Sequence, residues 1–113
     1  MEEPARSVLV VDDEPMIRAI CAEMLQGLGF EVSEAENGDD ALIKVQASGF
    51  DIVLTDIHMP GMIDGAALAR ALSHHEAIGR VVIMSGNEAD QDISPDAFLL
   101  KPFTFSALKA IMN

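Results

Sequence analysis

The sequence predicts an α/β domain built on a doubly wound, five-stranded parallel sheet of order 2-1-3-4-5, and three observations predict it. Short apolar runs alternate with segments of helical period, the pattern of βα units around a parallel sheet. Three of the runs, SVLVV, FDIVLT and RVVIM, are too uniformly apolar to be half-exposed and belong at the centre of the sheet. Crossovers between parallel strands are right-handed and short connections favour neighbours, which makes this strand order the economical topology.

The first strand is read from Ser7 to Val11. After it, Ile17, Ile20, Cys21, Met24, Leu25 and Leu28 fall on one face of an amphipathic helix, opened by Asp13 or Glu14 with Pro15 in its first turn. A second strand covers Phe30 to Ala35. An Asn37-Gly38 turn then leads into a helix carrying Ala41, Leu42 and Val45. The third strand is Phe50 to Thr55, and Leu68, Ala71 and Leu72 support a third helix after Gly65. Arg80 to Met84 forms the fourth strand. The next segment, GNEADQDISPD from Gly86 to Asp96, holds four acids, no base and a proline, so the fourth helix is expected to be shortened or degenerate, one turn at most. Ala97 to Leu100 is the fifth strand, and a last helix from about Thr104 to Asn113 presents Ala107, Leu108 and Ile111.

Composition narrows the functional classes. In 113 residues, 50% are hydrophobic and 23% charged, the balance of one ordinary globular domain. A chain of this length buries roughly two-thirds of the surface its unfolded form exposes, enough for its own core. Nineteen acidic side chains against 7 basic ones leave a net charge of −12, which repels nucleic-acid phosphates and anionic lipid. Direct nucleic-acid or membrane binding is therefore not expected, and cations and basic protein surfaces are the natural partners. The single cysteine, Cys21, permits no intrachain disulfide and no thiolate cluster. It lies on the apolar helix face and reads as inert core. Met1 to Ser7 is acidic and lacks the apolar stretch of a leader, and no run approaches the eighteen or so residues that span a bilayer. A cytoplasmic location is the expectation.

In a doubly wound sheet the ligand site lies outside the strand C-termini, at the switch point between strands 1 and 3. Asp12 and Asp13 end the first strand, Asp56 the third, Ser85 the fourth and Lys101 the fifth. Three carboxylates on one rim repel one another, so they must take up protons or bind a cation. A hard divalent ion with oxygen ligands fits, and Mg²⁺ characteristically completes its octahedron with waters and phosphate oxygens. Lys101 adds an ammonium and Ser85 a hydroxyl donor for phosphoryl oxygens. Because phosphoryl transfer needs mainly alignment and charge neutralisation, the central carboxylate, Asp56, is the expected nucleophile.

The motifs VLVVDDEP, LTDIHMPGMIDG, VVIMSG and FLLKPF, in this order over nearly the whole length, resemble the receiver domain of two-component response regulators. The resemblance implies a CheY-like, flavodoxin-like fold in a domain of residues 7–113 behind an N-terminal tail of residues 1–6. It implies Mg²⁺-dependent phosphorylation of Asp56 by a histidine kinase, a histidine phosphotransfer protein or a small donor such as acetyl phosphate. Asp13 then resembles the principal metal carboxylate, Asp12 acts largely through water, and the backbone carbonyl of His58 is a further ligand. Ser85 and Phe98 match the switch pair, Lys101 the phosphoryl-binding lysine, and the Lys101-Pro102 bond one that is often cis in the family. The molecule is thus expected to be a signalling switch that catalyses only its own phosphoryl transfer and autodephosphorylation and that changes its binding to a downstream protein target.

The chain departs from the family pattern in three places. Ile63 is inserted before Asp64-Gly65, lengthening the loop after Asp56 by one residue. Lys101 follows Ser85 after an unusually short interval, and the loss falls on the fourth helix, part of a face that commonly carries output or dimerisation. Phe98 lacks a tyrosine hydroxyl, so its switching would be steric. His58 and Asn87, two residues beyond Asp56 and Ser85, stand where the family tunes phosphoryl lifetime. Three rival readings remain. Asp12 and Asp13 could simply cap the first helix. The fold could be a protein-interaction scaffold that no longer cycles phosphate. A haloacid-dehalogenase-type phosphatase would want an Asp two residues after its nucleophile, where His58 stands, and no glycine-rich nucleotide loop follows the first strand.

Overall fold

The computed structural model describes residues 6–57, 65–72, 78–86 and 97–112. Its elements are β1 (Ser7–Val11), α1 (Pro15–Gly27), β2 (Glu31–Ala35), α2 (Gly38–Ala47), β3 (Phe50–Asp56), α3 (Gly65–Leu72), β4 (Ile78–Ser85), β5 (Ala97–Leu100) and α4 (Phe105–Met112). All strand pairs are parallel and the order is β2-β1-β3-β4-β5, as the crossover rule predicts. The three uniformly apolar runs are the three interior strands. The short segment predicted between β4 and β5 falls at residues 87–96, outside the described residues, as do the Ile63 insertion, His58 and Asn87.

Strand alternation sorts the core into two layers. Leu9, Val11, Val53, Val81 and Ile83 pack with Ala41 and Val45 of α2 and Leu68 and Leu72 of α3. Val8, Val10, Ile52, Leu54, Val82 and Met84 pack on the other face with Cys21 and Leu25 of α1 and Leu108 and Met112 of α4. Val8 through Val11 are fully buried, which only a strand covered on both faces can be.

The helix ends show why the elements begin where they do. Glu14 is the N-cap of α1 and Pro15 its first residue, where a missing N–H costs nothing. Asn37 and Gly38 are not a turn ahead of α2: Asn37 is its N-cap, with Oδ1 accepting the Asp40 N–H at 2.8 Å, and Gly38 is its first residue. Thr104 Oγ1 accepts the Ala107 N–H at 3.0 Å and opens α4. At the other end of α4, Arg80 Nη1 donates to the Ile111 carbonyl at 3.1 Å, satisfying a group the helix leaves open. Strand β4 begins two residues before the predicted Arg80, at Ile78. Among the described residues, no helix is long and apolar enough to cross a membrane.

Candidate functional site

Parallel strands place all their C-termini on one rim, so residues far apart in sequence meet there. Asp12 follows β1, Asp56 ends β3, Ser85 ends β4 and Lys101 follows β5. Each carboxylate of Asp12, Asp13 and Asp56 offers an oxygen within 4.8 Å of the others, and Asp12 is fully buried, Asp56 nearly so. Lys101 Nζ lies 3.4 Å from Asp12 Oδ2 and 3.4 Å from Asp56 Oδ1, between the two buried acids.

Asp56 is held in a fixed pose. Its Oδ1 accepts the Ile57 N–H at 2.9 Å and its carbonyl accepts the Thr55 hydroxyl at 2.9 Å. Burial pushes its carboxyl above the usual Asp range and Asp12 adds to this, while Lys101 and the Ile57 N–H pull the other way and do not cancel it. For Lys101, burial would lower the ammonium, but Asp56 and Asp12 outweigh it and raise the group, so the lysine is held charged. The result is one cation facing three carboxylates, a deficit of positive charge in a site built of hard oxygen donors.

Asp12 does serve α1 in part, since its Oδ1 accepts the Glu14 N–H at 2.9 Å. Capping does not explain its full burial or its Oδ2 beside Lys101, and so the capping reading covers only half of this side chain. Ser85 is buried in the strand next to Asp56, whose register partner is Met84, and its carbonyl accepts the Lys101 N–H at 2.8 Å. The Lys101-Pro102 peptide is cis. Phe98 is half-buried and packs on the α2 and α3 side of the sheet, one strand from Ile83. Cys21 is buried as expected and takes no place in the acidic cluster.

One residue beside the site carries no signal in the sequence. Arg18 Nη1 donates to the Asp12 carbonyl at 2.7 Å and its Nε donates to Glu34 Oε1 at 3.1 Å. The sequence shows only a polar residue off the apolar face of α1, because its partners lie on a loop and on another strand.

Comparison with known proteins agrees with this geometry. The family model of the response regulator receiver domain matches residues 8–113, and the chain belongs to that family. Its curated relatives include the gliding motility regulatory protein of Myxococcus xanthus, 39% identical over 83% of this chain and 13% of its own length. The transcriptional regulatory protein ResD of Bacillus subtilis is 33% identical over 86% of the chain and 42% of its own length. The chain therefore spans less than half of these relatives. Among solved structures, the chemotaxis response regulator CheY4 of Vibrio cholerae superposes with a TM-score of 0.86 at 26% identity, covering 96% of each chain. The response regulator TrrA of Thermotoga maritima, in complex with Mg²⁺ and beryllofluoride, does so with a TM-score of 0.85 at 33% identity, over 95% of this chain and 96% of that one.

Proposed function

We propose that Asp56 is the phosphoacceptor of a two-component phosphorelay, served by a divalent cation at Asp12, Asp13 and Asp56 with the His58 carbonyl, and by Lys101. The observation that carries the reading is Lys101 Nζ set 3.4 Å from both Asp56 Oδ1 and Asp12 Oδ2, with Asp13 completing the acidic cluster. An Asp56 oxygen attacks the phosphorus of a phosphohistidine, the phosphorus–nitrogen bond breaks, and the imidazole leaves. The carboxylate needs no general base, because it is already a nucleophile once ionised. Lys101 offsets charge on the phosphoryl oxygens, and Ser85 donates to one of them when the switch is thrown. Three hard carboxylates suit Mg²⁺, which when bound would neutralise the negative charge that otherwise repels a phosphoryl donor.

The donor is a histidine kinase or a histidine phosphotransfer protein. Self-hydrolysis of the aspartyl phosphate is the only further chemistry, and the Ser85 and Phe98 region carries the change to a protein target. Residues 7–113 form the receiver unit and residues 1–6 its tail, in a cytoplasmic protein.

Beryllofluoride mimics a phosphoryl group on a carboxylate. With Mg²⁺ it should raise the Tm of the wild type and leave that of Asp56→Asn where Mg²⁺ alone puts it. An equal rise in both proteins would remove Asp56 from the acceptor role.

A further inference from the structure

We infer that Arg18 is a positioning residue for the cation site, holding the main chain that carries Asp12 and Asp13. The inference rests on the cation reading proposed above and names the device that gives the acidic pair its pose.

The loop from Asp12 to Glu14 joins a buried strand to a helix, and Asp12 has left the sheet ladder on one side. Its N–H still donates to the Ala35 carbonyl at 3.2 Å, and its Oδ1 takes the Glu14 N–H at 2.9 Å. Its own carbonyl would lack a donor at this strand-to-helix corner, and Arg18 Nη1 supplies one at 2.7 Å from the next turn of α1. The guanidinium is fixed in turn, because Nε donates to Glu34 Oε1 at 3.1 Å on the edge strand β2. Lys44 of α2 donates to the Glu34 carbonyl, so the edge strand is itself tied down. One planar fork thus spans the helix, the loop and the strand, a geometry that lysine's single ammonium does not reproduce.

An isolated surface ion pair would contribute little. The Glu34 end of this pair is exposed, but the Arg18 side chain is only 18% exposed and its shorter bond, to the Asp12 carbonyl, is part-buried, so the support of the loop rests on that bond and Glu34 steadies the guanidinium from outside. Outer partners of metal ligands commonly change metal affinity by roughly ten- to a hundredfold when removed.

Charge alone predicts the opposite sign. Arg18 is a cation near an acidic site, so by Coulomb's law its loss would tighten binding of a divalent ion, and loss of the Glu34 charge would loosen it. Positioning predicts that both losses loosen binding and that the second adds little to the first.

The test is calorimetric titration of the full chain with Mg²⁺. Arg18→Ala should weaken the Kd roughly tenfold, Glu34→Gln should weaken it by a smaller factor, and the double variant should be no weaker than Arg18→Ala. Arg18→Lys should stay close to Arg18→Ala, and it serves as the measurement if Arg18→Ala does not fold. Equal or tighter binding in either arginine variant overturns the inference while leaving the cation site standing. If the wild type takes up no Mg²⁺, the cation reading itself falls and the inference with it.

Discussion

At the scale of residues, the site is defined by where charge is left uncompensated. Asp56 holds its proton more tightly in the native state than in the unfolded chain, because burial and Asp12 outweigh Lys101 and the Ile57 N–H. Its ionised form therefore opposes folding above the native pKa, and this opposition fades as pH falls through that value. A cation bound beside Asp56 would act against the same opposition by favouring the ionised carboxylate. Cys21 supplies the cleaner pH signal. Burial, with a smaller contribution from Asp12 and against Lys101, pushes its thiol from 9.0 to about 11. The unfolded chain ionises first, so stability should fall as pH rises from about 9 to about 11, with a slope of up to ~1.4 kcal/mol per pH unit from this group. Urea unfolding across that range checks it: Cys21→Ala should lose that part of the slope, and an unchanged slope would show that the thiol is not responsible.

At the scale of elements, close approach and capping decide where strands and helices begin. Strand β4 starts at Ile78 because Gly79 has no side chain: a Cβ there would lie 2.6 Å from the Asp51 carbonyl oxygen of β3. Gly79→Ala should therefore cost about 2 kcal/mol, since main chain rather than a flexible side chain must shift. Gly27 at the end of α1 meets nothing within 4 Å. Gly27→Ala should be neutral or stabilising by up to ~1 kcal/mol, and guanidinium midpoints that moved alike in the two variants would contradict the contrast. The same comparison shows what the sequence could disclose. Interior strands, most of the apolar stripe of α1 and the residues that close each strand were legible, because burial on both faces and helical period leave direct marks in one segment. The period also puts Ile20 on that stripe, but it is 46% exposed, since the face α1 buries is centred on Cys21, Ala22 and Leu25. The early start of β4 was not, since glycine reads as a break unless one knows that Asp51 lies opposite. Asn37 read as a turn although it caps, because both roles use the same side-chain acceptor. Arg18 was invisible for the same reason as Gly79: its partners, Asp12 and Glu34, come from other elements.

For the whole molecule, a parallel sheet turns a linear sequence into a chemical site by collecting its strand ends. Five of the residues singled out by position, Asp12, Asp13, Asp56, Ser85 and Lys101, lie on that rim, and the family match over residues 8–113 assigns the chain to the response regulator receiver domains. The net charge of −12 is divided in space: Asp12, Asp13 and Asp56 cluster with Lys101 at the rim, while Glu31, Glu34 and Glu36 are exposed on the edge strand and the loop after it. Phosphorylation would add further negative charge to an already acidic domain. Phosphoryl transfer to Asp56 would form a single covalent bond, and intact-protein mass measurement reads it directly. Incubated with acetyl phosphate and Mg²⁺, the wild type should gain one phosphoryl increment, which vanishes in Asp56→Asn and when the divalent cation is chelated. An increment that persists in Asp56→Asn, or none in the wild type under the same conditions, would contradict the account.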